Sequence, residues 1–536
     1  MARDPEAQAR ISVEIYPGTE LMEDYLGSHL THSQNDRAGT VLVPQPSHNS
    51  DDPLNWSPFW KWTIVLNEVF FILTSVISAL SVSPLTPVFE AQFNKDAEAI
   101  ALLTSALVLV TGYANLILVP IAEVYGRRFI LIASSLVCLG ASLWHGASQS
   151  YGSFMGARIL IGIGMSIGES LMPMVVSDVF FLHERGRFMG AYVFALFNGM
   201  FLGPIIAGEC EKRFGSWRTF YWIISGFTGL SLLLIIFFHP ETKYIRLPVD
   251  NGSAENTTPP SEKHDSEHAE ASPDQNIDRD QFLGKGRPGK RQFRLFQSAD
   301  SEAISKISRH VITPFVLLRF PIVLFGSWML AFPASGLLTL NYTESMALVA
   351  APYNFDNSQV GLSNLALVCG GTLGVFTAGP VSDWVAMYLT KRNNGIREPE
   401  MRLVSLVPFT ILSAIALIVV GLGFDRSWPW QAIITVGFGG IGLMTVSLCT
   451  IGITYAVDCY KPVAGQIMTI ATVLKNSFGF GMGHYVTDWV KKSGFVPLLM
   501  CEFALIIGPT VFGITFFSIY GKRLRKLSRN SKVHTY

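Results

Sequence analysis

The feature that most constrains this chain is the recurrence of stretches of about 20 residues that carry no charged side chain. A bilayer core about 30 Å thick is crossed by about 20 apolar residues as helix, because no water is present to satisfy the backbone. Ten uncharged stretches are long enough: Val69–Phe89, Ala99–Ala122, Phe129–Ala157, Phe188–Gly208, Thr219–His239, Phe320–Thr343, Asn357–Ser382, Leu403–Phe424, Ser427–Val457 and Phe503–Gly521. Two more are broken by single charges, Arg158–Val176 by Glu169 and Pro462–Thr487 by Lys475. The expectation is an all-α membrane protein of twelve spans, six on each side of a long polar segment. The first span begins near Trp62, which places Glu68 inside it.

Composition agrees with that frame. Charged residues make up 15% of the 536-residue chain, against roughly 25% in soluble proteins. Forty basic and forty acidic residues cancel, so no global field draws nucleic acid. The six cysteines are scattered without a CxxC, which signals neither a disulfide frame nor a zinc site, and no metal is expected.

The domain expectation is a polar N-terminal tail (1–60), a six-span bundle (61–239), a central segment (240–313), a second bundle (314–521) and a short tail (522–536). The first 60 residues are polar and contain no cleavable signal peptide. Within the central segment, Val249–Phe293 is rich in Asp, Glu, Ser, Lys and Pro, buries no core on this reading and should stay disordered. Lysines and arginines near the span ends number eighteen to seven in favour of the side shared by both termini and the central segment. By the positive-inside rule that side is cytoplasmic.

A trace of duplication is visible. Val119-Pro120-Ile121-Ala122-Glu123 after the second span is echoed 260 positions later, after the eighth, by Gly379-Pro380-Val381-Ser382-Asp383. Transporters are often built from such repeats. Directly after the first copy, Gly126 permits a tight reversal, and Glu123 can pair with Arg127 and Arg128 or face a helix N-terminus. Anchoring by the positive-inside rule is the plain reading of these cations, and an interdomain latch is the functional one.

The segment Glu123–Arg128 resembles the signature loop of the major facilitator superfamily, with Glu123 for the usual aspartate and Val119 for the usual first glycine. Arg158 with Gly162 and Gly164 resembles the family's fourth-helix motif. Gly203-Pro204 with Ala207-Gly208 resembles the fifth-helix motif of drug:proton antiporters, although Ala207 departs from it. Asp52–Ser57, Asp178–Gly186 and Asn394–Glu400 resemble fungal twelve-span members, some of them cation and polyamine carriers. The resemblance implies two pseudo-symmetric bundles around a central site, alternating access and a latch at Glu123, Gly126, Arg127, Arg128 and Asp383. It also implies a cavity lined by spans one, four, seven and ten, with spans three, six, nine and twelve outside; the uncharged stretches assigned to those four hold no acid or base.

Physically, Pro204 removes one helical hydrogen bond, while Gly199 and Gly203 thin one face, and Gly208 another point of the helix, for close packing or for a moving hinge. A charge at mid-bilayer costs about 2.5–3.5 kcal/mol on insertion scales, so Glu68, Arg158, Glu169 and Lys475 should face a cavity or a partner. Arg158 and Glu169 lie eleven residues apart, on one helix face and about 16 Å apart. Glu169 or Glu68 is the expected proton carrier, assisted by Arg158 and sharing one level of the cavity. A static pair such as Glu169 with Lys475 is the competing arrangement. Asn115, Tyr455 and Asn476, with Tyr113, Trp144, Phe197 and Asn198, are the candidate cargo lining, each of which is also ordinary packing material.

Gly284–Lys290 fits GxxxxGK, but Arg291 replaces the Ser/Thr and no strand precedes it, so ATP is not expected. His264 and His268 in an acidic segment are expected to be solvated. The sequons at Asn251 and Asn256 fall on the cytoplasmic side, leaving Asn341 as the possible glycosylation site.

The resulting expectation is a monomeric, cofactor-free, non-enzymatic secondary transporter, driven by protons, that exports small amphipathic compounds across the plasma membrane. The vacuolar membrane is the alternative location. Proton-coupled uptake of a cation such as a polyamine is the closest rival function. A membrane-embedded enzyme lacks a structured catalytic loop, and a non-transporting nutrient sensor is the remaining alternative.

Overall fold

The computed structural model describes residues 20–21, 46–47, 49–244, 283–295, 303–393, 396–460 and 463–528. His264, His268, the sequons at Asn251 and Asn256, and Asn394-Gly395 lie outside the described residues.

Twelve long helices account for most of these residues. The first six are α1 (Pro58–Ala79), α2 (Ala97–Tyr125), α3 (Arg127–Ala147), α4 (Tyr151–Val179), α5 (Leu182–Phe214) and α6 (Arg218–Phe238). The second six are α7 (Pro321–Val349), α8 (Asn357–Arg392), α9 (Pro399–Asp425), α10 (Trp430–Cys459), α11 (Ala464–Ser493) and α12 (Phe495–Ser528). Eleven are long and apolar enough to cross a membrane; α11 is not among them, because it carries Lys475, Asp488, Lys491 and Lys492.

Local chemistry sets the helix ends. Asp96 accepts from the Ala99 N–H at 3.2 Å to cap α2, and Asp356 and Gln359 form a reciprocal capping box at the start of α8 (2.7 and 2.9 Å). Gly126, at φ +108°, makes the abrupt turn from α2 into α3, in a conformation that side chains with a Cβ resist. Three helices are interrupted: α4 by a 3₁₀ turn at Ile167–Glu169, α8 at Asn364 and α10 by a π-helical stretch at Ile433–Phe438.

Helices α1–α6 and α7–α12 form two bundles, each centred on a buried apolar cluster that takes in a few residues from across the seam. The bundles meet where α2 packs on α11 and α5 on α8. The pairs α3/α6 and α9/α12 lie outside, with Leu136, Phe227, Leu233 and Phe237 exposed on one and Ile411, Ile415, Phe512 and Ile519 on the other. Such rows face lipid in a membrane. The start of α1, the end of α12 and residues 283–295 lie at one end of the bundle, here called the tail side; the opposite end is the far side.

The structure corrects several expectations. Helix α7 runs on to Val349, so Glu344 is inside it and fully buried. Helix α12 begins at Phe495, so Glu502 is inside and 1% exposed, and the outer spans do hold an acid. Asn341 lies within α7 and is buried, whereas a glycosylation acceptor needs a surface loop. Asp52, Leu54 and Trp56 are fully buried, because Asp52 caps a 3₁₀ turn through the Leu54 N–H (3.0 Å) and Asn55 donates to the Ser47 and Asn49 carbonyls. Residues 283–295 are docked rather than disordered: Gln292 is buried and Phe293 packs edge-on against Trp60.

Candidate functional site

The seam between the bundles is closed at the far side. Gly208 of α5 lies against the Asn357 carbonyl, where an added Cβ would stand 2.7 Å from the oxygen; at Gly361 of α8 an added Cβ would stand 2.8 Å from the Pro204 carbonyl. On the other side of the same helix, a Cβ at Gly203 would meet the Ile77 carbonyl of α1 at 2.5 Å, and Gly199 abuts Val76. These glycines are close-packing positions in this conformation, and Gly203-Pro204 is wedged between α1 and α8. Polar contacts across the seam add to the closure. Ser358 donates to Glu209, Asn357 to Glu211 at 3.3 Å, Lys212 pairs with Asp356 at 3.3 Å, and Ser83 donates to the buried Glu344. Asn364 also donates to both Glu344 oxygens at 3.2 Å.

Towards the tail side the α5–α8 seam opens. Gly190 lies eleven residues before Phe201 and Gly379 seven after Thr372, so each lies on its helix's seam-facing side. A Cβ at either would meet nothing within 4 Å. Asn198 and Thr372, in contact at 3.2 Å, are on the packed portion.

Mid-seam, one ion pair joins the bundles: Lys475 Nζ of α11 lies 2.7 Å from Glu169 Oε1 of α4. Both side chains are largely buried, at 12% and 6% exposed. Local sequence explains how Glu169 is held. Pro173 has no N–H for the carbonyl four residues earlier, and the Glu169 carbonyl instead accepts from the buried Tyr192 hydroxyl at 2.7 Å. Near the pair, Asn476 packs against Gly112 of α2, and Asn115 is one turn further along that helix. Both Asn115 side-chain polar atoms, Asn476 Nδ2 and Glu169 Oε2 are buried without a hydrogen-bond partner. Buried groups of this kind are expensive unless something satisfies them, which marks a polar locus at the seam beside the ion pair.

Other anticipated site residues lie elsewhere. Arg158 does not join Glu169. Its guanidinium donates to the Leu103, Ser78 and Ala79 carbonyls (3.1, 3.1 and 2.5 Å) and to Thr104, tying α4 to the far ends of α1 and α2. The 3₁₀ turn at Ile167–Glu169 breaks the regular helical phase on which the common-face expectation rested. Glu68 pairs with His239 at the end of α6 (3.2 Å), and both are buried within the first bundle. Helix α1 starts at Pro58, so Glu68 lies about 15 Å along it. Tyr455 is core, its ring among Phe325 and Phe517. Trp144 is exposed on the outer helix α3. Glu344 and Glu502, the latter held by Ser335 and Thr339 at 3.1 and 2.9 Å, went unnoticed in the sequence because the uncharged windows stop beside them.

At the tail side, Glu123 faces the first turn of α11, its Oε1 3.9 Å from where a Gly465 Cβ would sit. Val119, Pro120, Gln466 and Thr469 line the same crevice. A carboxylate there complements the positive end of the helix dipole. The cations of this region bind within their own bundles. Arg127 pairs with Asp178 at 3.2 Å, and Arg128 donates to the His239 and Ile236 carbonyls (2.8 and 2.6 Å). In the second bundle Arg402 bridges Asp383 and Asp458 (2.9 and 2.7 Å). Each half thus ties an arginine to the acid ending its fourth helix, Asp178 or Asp458.

The family model described as Major Facilitator Superfamily matches residues 69–484. The chain belongs to this superfamily. Its family and fold are those of multi-pass membrane transporters of small molecules, not of enzymes, and major facilitator transporters generally need no cofactor. Among similar proteins, an uncharacterised MFS-type transporter of Schizosaccharomyces pombe is 28% identical, covering 96% of this chain and 93% of that one. Protein HOL1 of Saccharomyces cerevisiae is 25% identical (91% and 90%), as is efflux pump vrtL of Penicillium aethiopicum (94% and 94%). The fold is similar to that of the xylose transporter XylE in a partially occluded inward-open conformation. The TM-score is 0.58 at 12% identity, covering 85% of this chain and 98% of that one.

Proposed function

We propose that this major facilitator is a proton-coupled exporter of small amphipathic organic compounds, working by alternating access in the plasma membrane with its tail side in the cytoplasm. The observation that carries the reading is the Glu169–Lys475 pair, which crosses the seam in a buried setting. Removing one partner of a buried pair costs about 3–5 kcal/mol, because the other charge is stranded. A proton arriving on Glu169 cancels the attraction across the seam and lets the halves part; its departure restores the link. The far-side closure and tail-side opening of the α5–α8 seam suit loading from the cytoplasm. Efflux pumps among the relatives support the export direction. The lysine and arginine bias supports the orientation.

A second reading, uptake of an organic cation, is favoured by the buried acids Glu169, Glu344 and Glu502, of which only Glu169 has a cationic partner among the described residues. In that scheme the cargo displaces Lys475 from Glu169.

Glu169→Gln and the doubly neutral Glu169→Gln/Lys475→Met test the coupling in reconstituted vesicles. Both are expected to abolish proton-driven accumulation, while the double variant keeps the melting temperature and downhill exchange. Unchanged proton-driven transport by Glu169→Gln removes the coupling role.

A further inference from the structure

Residues 283–295 form a strap whose two faces differ in chemistry. One face is anchored to the first bundle at the tail side. Gly286 exchanges backbone hydrogen bonds with Asn55 and Ser57, both 2.9 Å. The Gln292 side chain donates to the Asp51 carbonyl at 2.6 Å, and the Gln292 backbone carbonyl accepts from the Glu241 N–H at 2.8 Å. Phe293 packs on Trp60, with the Arg128 guanidinium 5.6 Å over its ring. Gly286 is required at this approach, since a Cβ would stand 2.9 Å from the Asn55 and Ser50 carbonyls.

The other face is cationic. Lys285, Arg287, Lys290, Arg291 and Arg294 are all exposed, and the strap contains no acid. None of the five is in an ion pair with an acid among the described residues. The nearby Glu241 is already used, its carboxylate accepting the Arg127 and Arg128 N–H groups (2.9 and 3.1 Å) at the start of α3.

The strap's position selects the partner. It contacts the first turn of α1, the start of α3 and the segment just after α6. Both α3 and α6 expose long apolar rows, so this is the bilayer edge of the bundle. Phe59 (67% exposed) and Leu295 (46%) flank it at that level. A nucleotide-type phosphate cradle is excluded by geometry although the run fits GxxxxGK. A phosphate loop presents free backbone N–H groups, whereas here the Gly286 N–H goes to Asn55 and the Gly289 N–H to the Gln292 side chain (2.8 Å). Only side-chain cations remain to meet an anion, and they lie where headgroups are.

We propose that this strap is a binding site for anionic phospholipid headgroups of the tail-side leaflet. Clusters of four to eight Lys/Arg beside a membrane helix attract such lipids, and docking of the strap fixes the cations in one place.

The test uses the purified full chain, equilibrated with phosphatidylserine–phosphatidylcholine mixtures, with retained lipid measured at low and high salt. Wild type should enrich phosphatidylserine over phosphatidylcholine and lose that enrichment at high salt. Lys285→Gln/Arg287→Gln/Lys290→Gln/Arg291→Gln, all at exposed positions, should lower phosphatidylserine retention about tenfold or more with an unchanged melting temperature in detergent. The comparator Lys391→Gln/Arg392→Gln/Arg523→Gln, on the second bundle, should retain it. Equal retention by strap variant and wild type, equal loss by strap variant and comparator, or no preference for phosphatidylserine by wild type would each overturn the proposal.

Discussion

The far and tail ends of the interface between the bundles are built differently. At the far end, glycines bring backbones of α5 and α8 together, and Glu209, Glu211, Lys212 and Glu344 bond across. At the tail end, glycines on the corresponding faces of the same helices have empty space before them, and the arginine pairs of the signature region stay within their own halves. Close backbone packing is bistable, since a carbonyl cannot yield by small steps. The far end is therefore a tight contact, whereas at the tail end α5 and α8 stand apart while Glu123 still faces α11. A rocking protein needs this asymmetry, and in the opposite state it should be reversed.

The largest effect is expected from Gly361→Leu, which drives a side chain into the Pro204 carbonyl. Overpacking costs about 1–3 kcal/mol, equivalent to roughly a 5- to 150-fold shift away from far-side closure. Reactivity of a cysteine placed at Ser358 towards an impermeant thiol reagent from the far side should rise accordingly. An unchanged rate would break the comparison. Next, Gly190→Leu with Gly379→Leu should leave the melting temperature nearly unchanged, because nothing stands in the way now. Transport should nevertheless slow if, as alternating access requires, these faces come together when the tail end closes. Full transport by this variant would mean that the tail end never packs as the far end does.

The smallest effect belongs to Lys212→Ala, which breaks an exposed pair worth at most about 1 kcal/mol. Its effect on far-side accessibility should be slight and should vanish at high salt. The Gln359 N–H, more than Lys212, holds the Asp356 carboxyl below its usual range. A depressed carboxylate contributes above its unfolded pKa and loses that contribution as pH falls through the folded one. Far-side accessibility should therefore not vary with pH near neutrality, where the Asp356 contribution is fully present, and a Lys212→Ala effect that appears only on acidification would contradict the assignment.

Much of the architecture was legible because lipid imposes a simple rule: charges leave the spans. That rule locates all twelve helices, including α11, despite Lys475. It also fails in a defined way. A window that ends at the first charge excludes Glu344 and Glu502, although the helix and its hydrogen bonds continue past them. At the site, Glu169 and Lys475 were readable as interrupting charges, and their pairing was one of the alternatives. Arg158 misled because its spacing from Glu169 assumes an unbroken helix, whereas Pro173 and the 3₁₀ turn interrupt α4. The far-side contacts join residues about 150 positions apart, as Glu209 to Ser358, and no local pattern announces them. Strap 283–295 was missed because its anchorage is through backbone and one glutamine, which composition does not register.

Helix α11 has one further implication, for how the protein is made. Among the described long helices it is the one whose composition falls short of a lipid-spanning stretch, with Lys475 in its middle and Asp488, Lys491 and Lys492 near its end. A charge at the helix centre, as Lys475 is, opposes insertion by a few kcal/mol unless neighbours receive it. Those neighbours, α2 and α7, are synthesised earlier and pack along it. Biogenesis is thereby ordered: the insertion machinery must hold this segment until its earlier-made receptors are in position. A fault in α2 would surface not where it lies but as a chain whose last hairpin fails to enter the membrane and is handed to quality control.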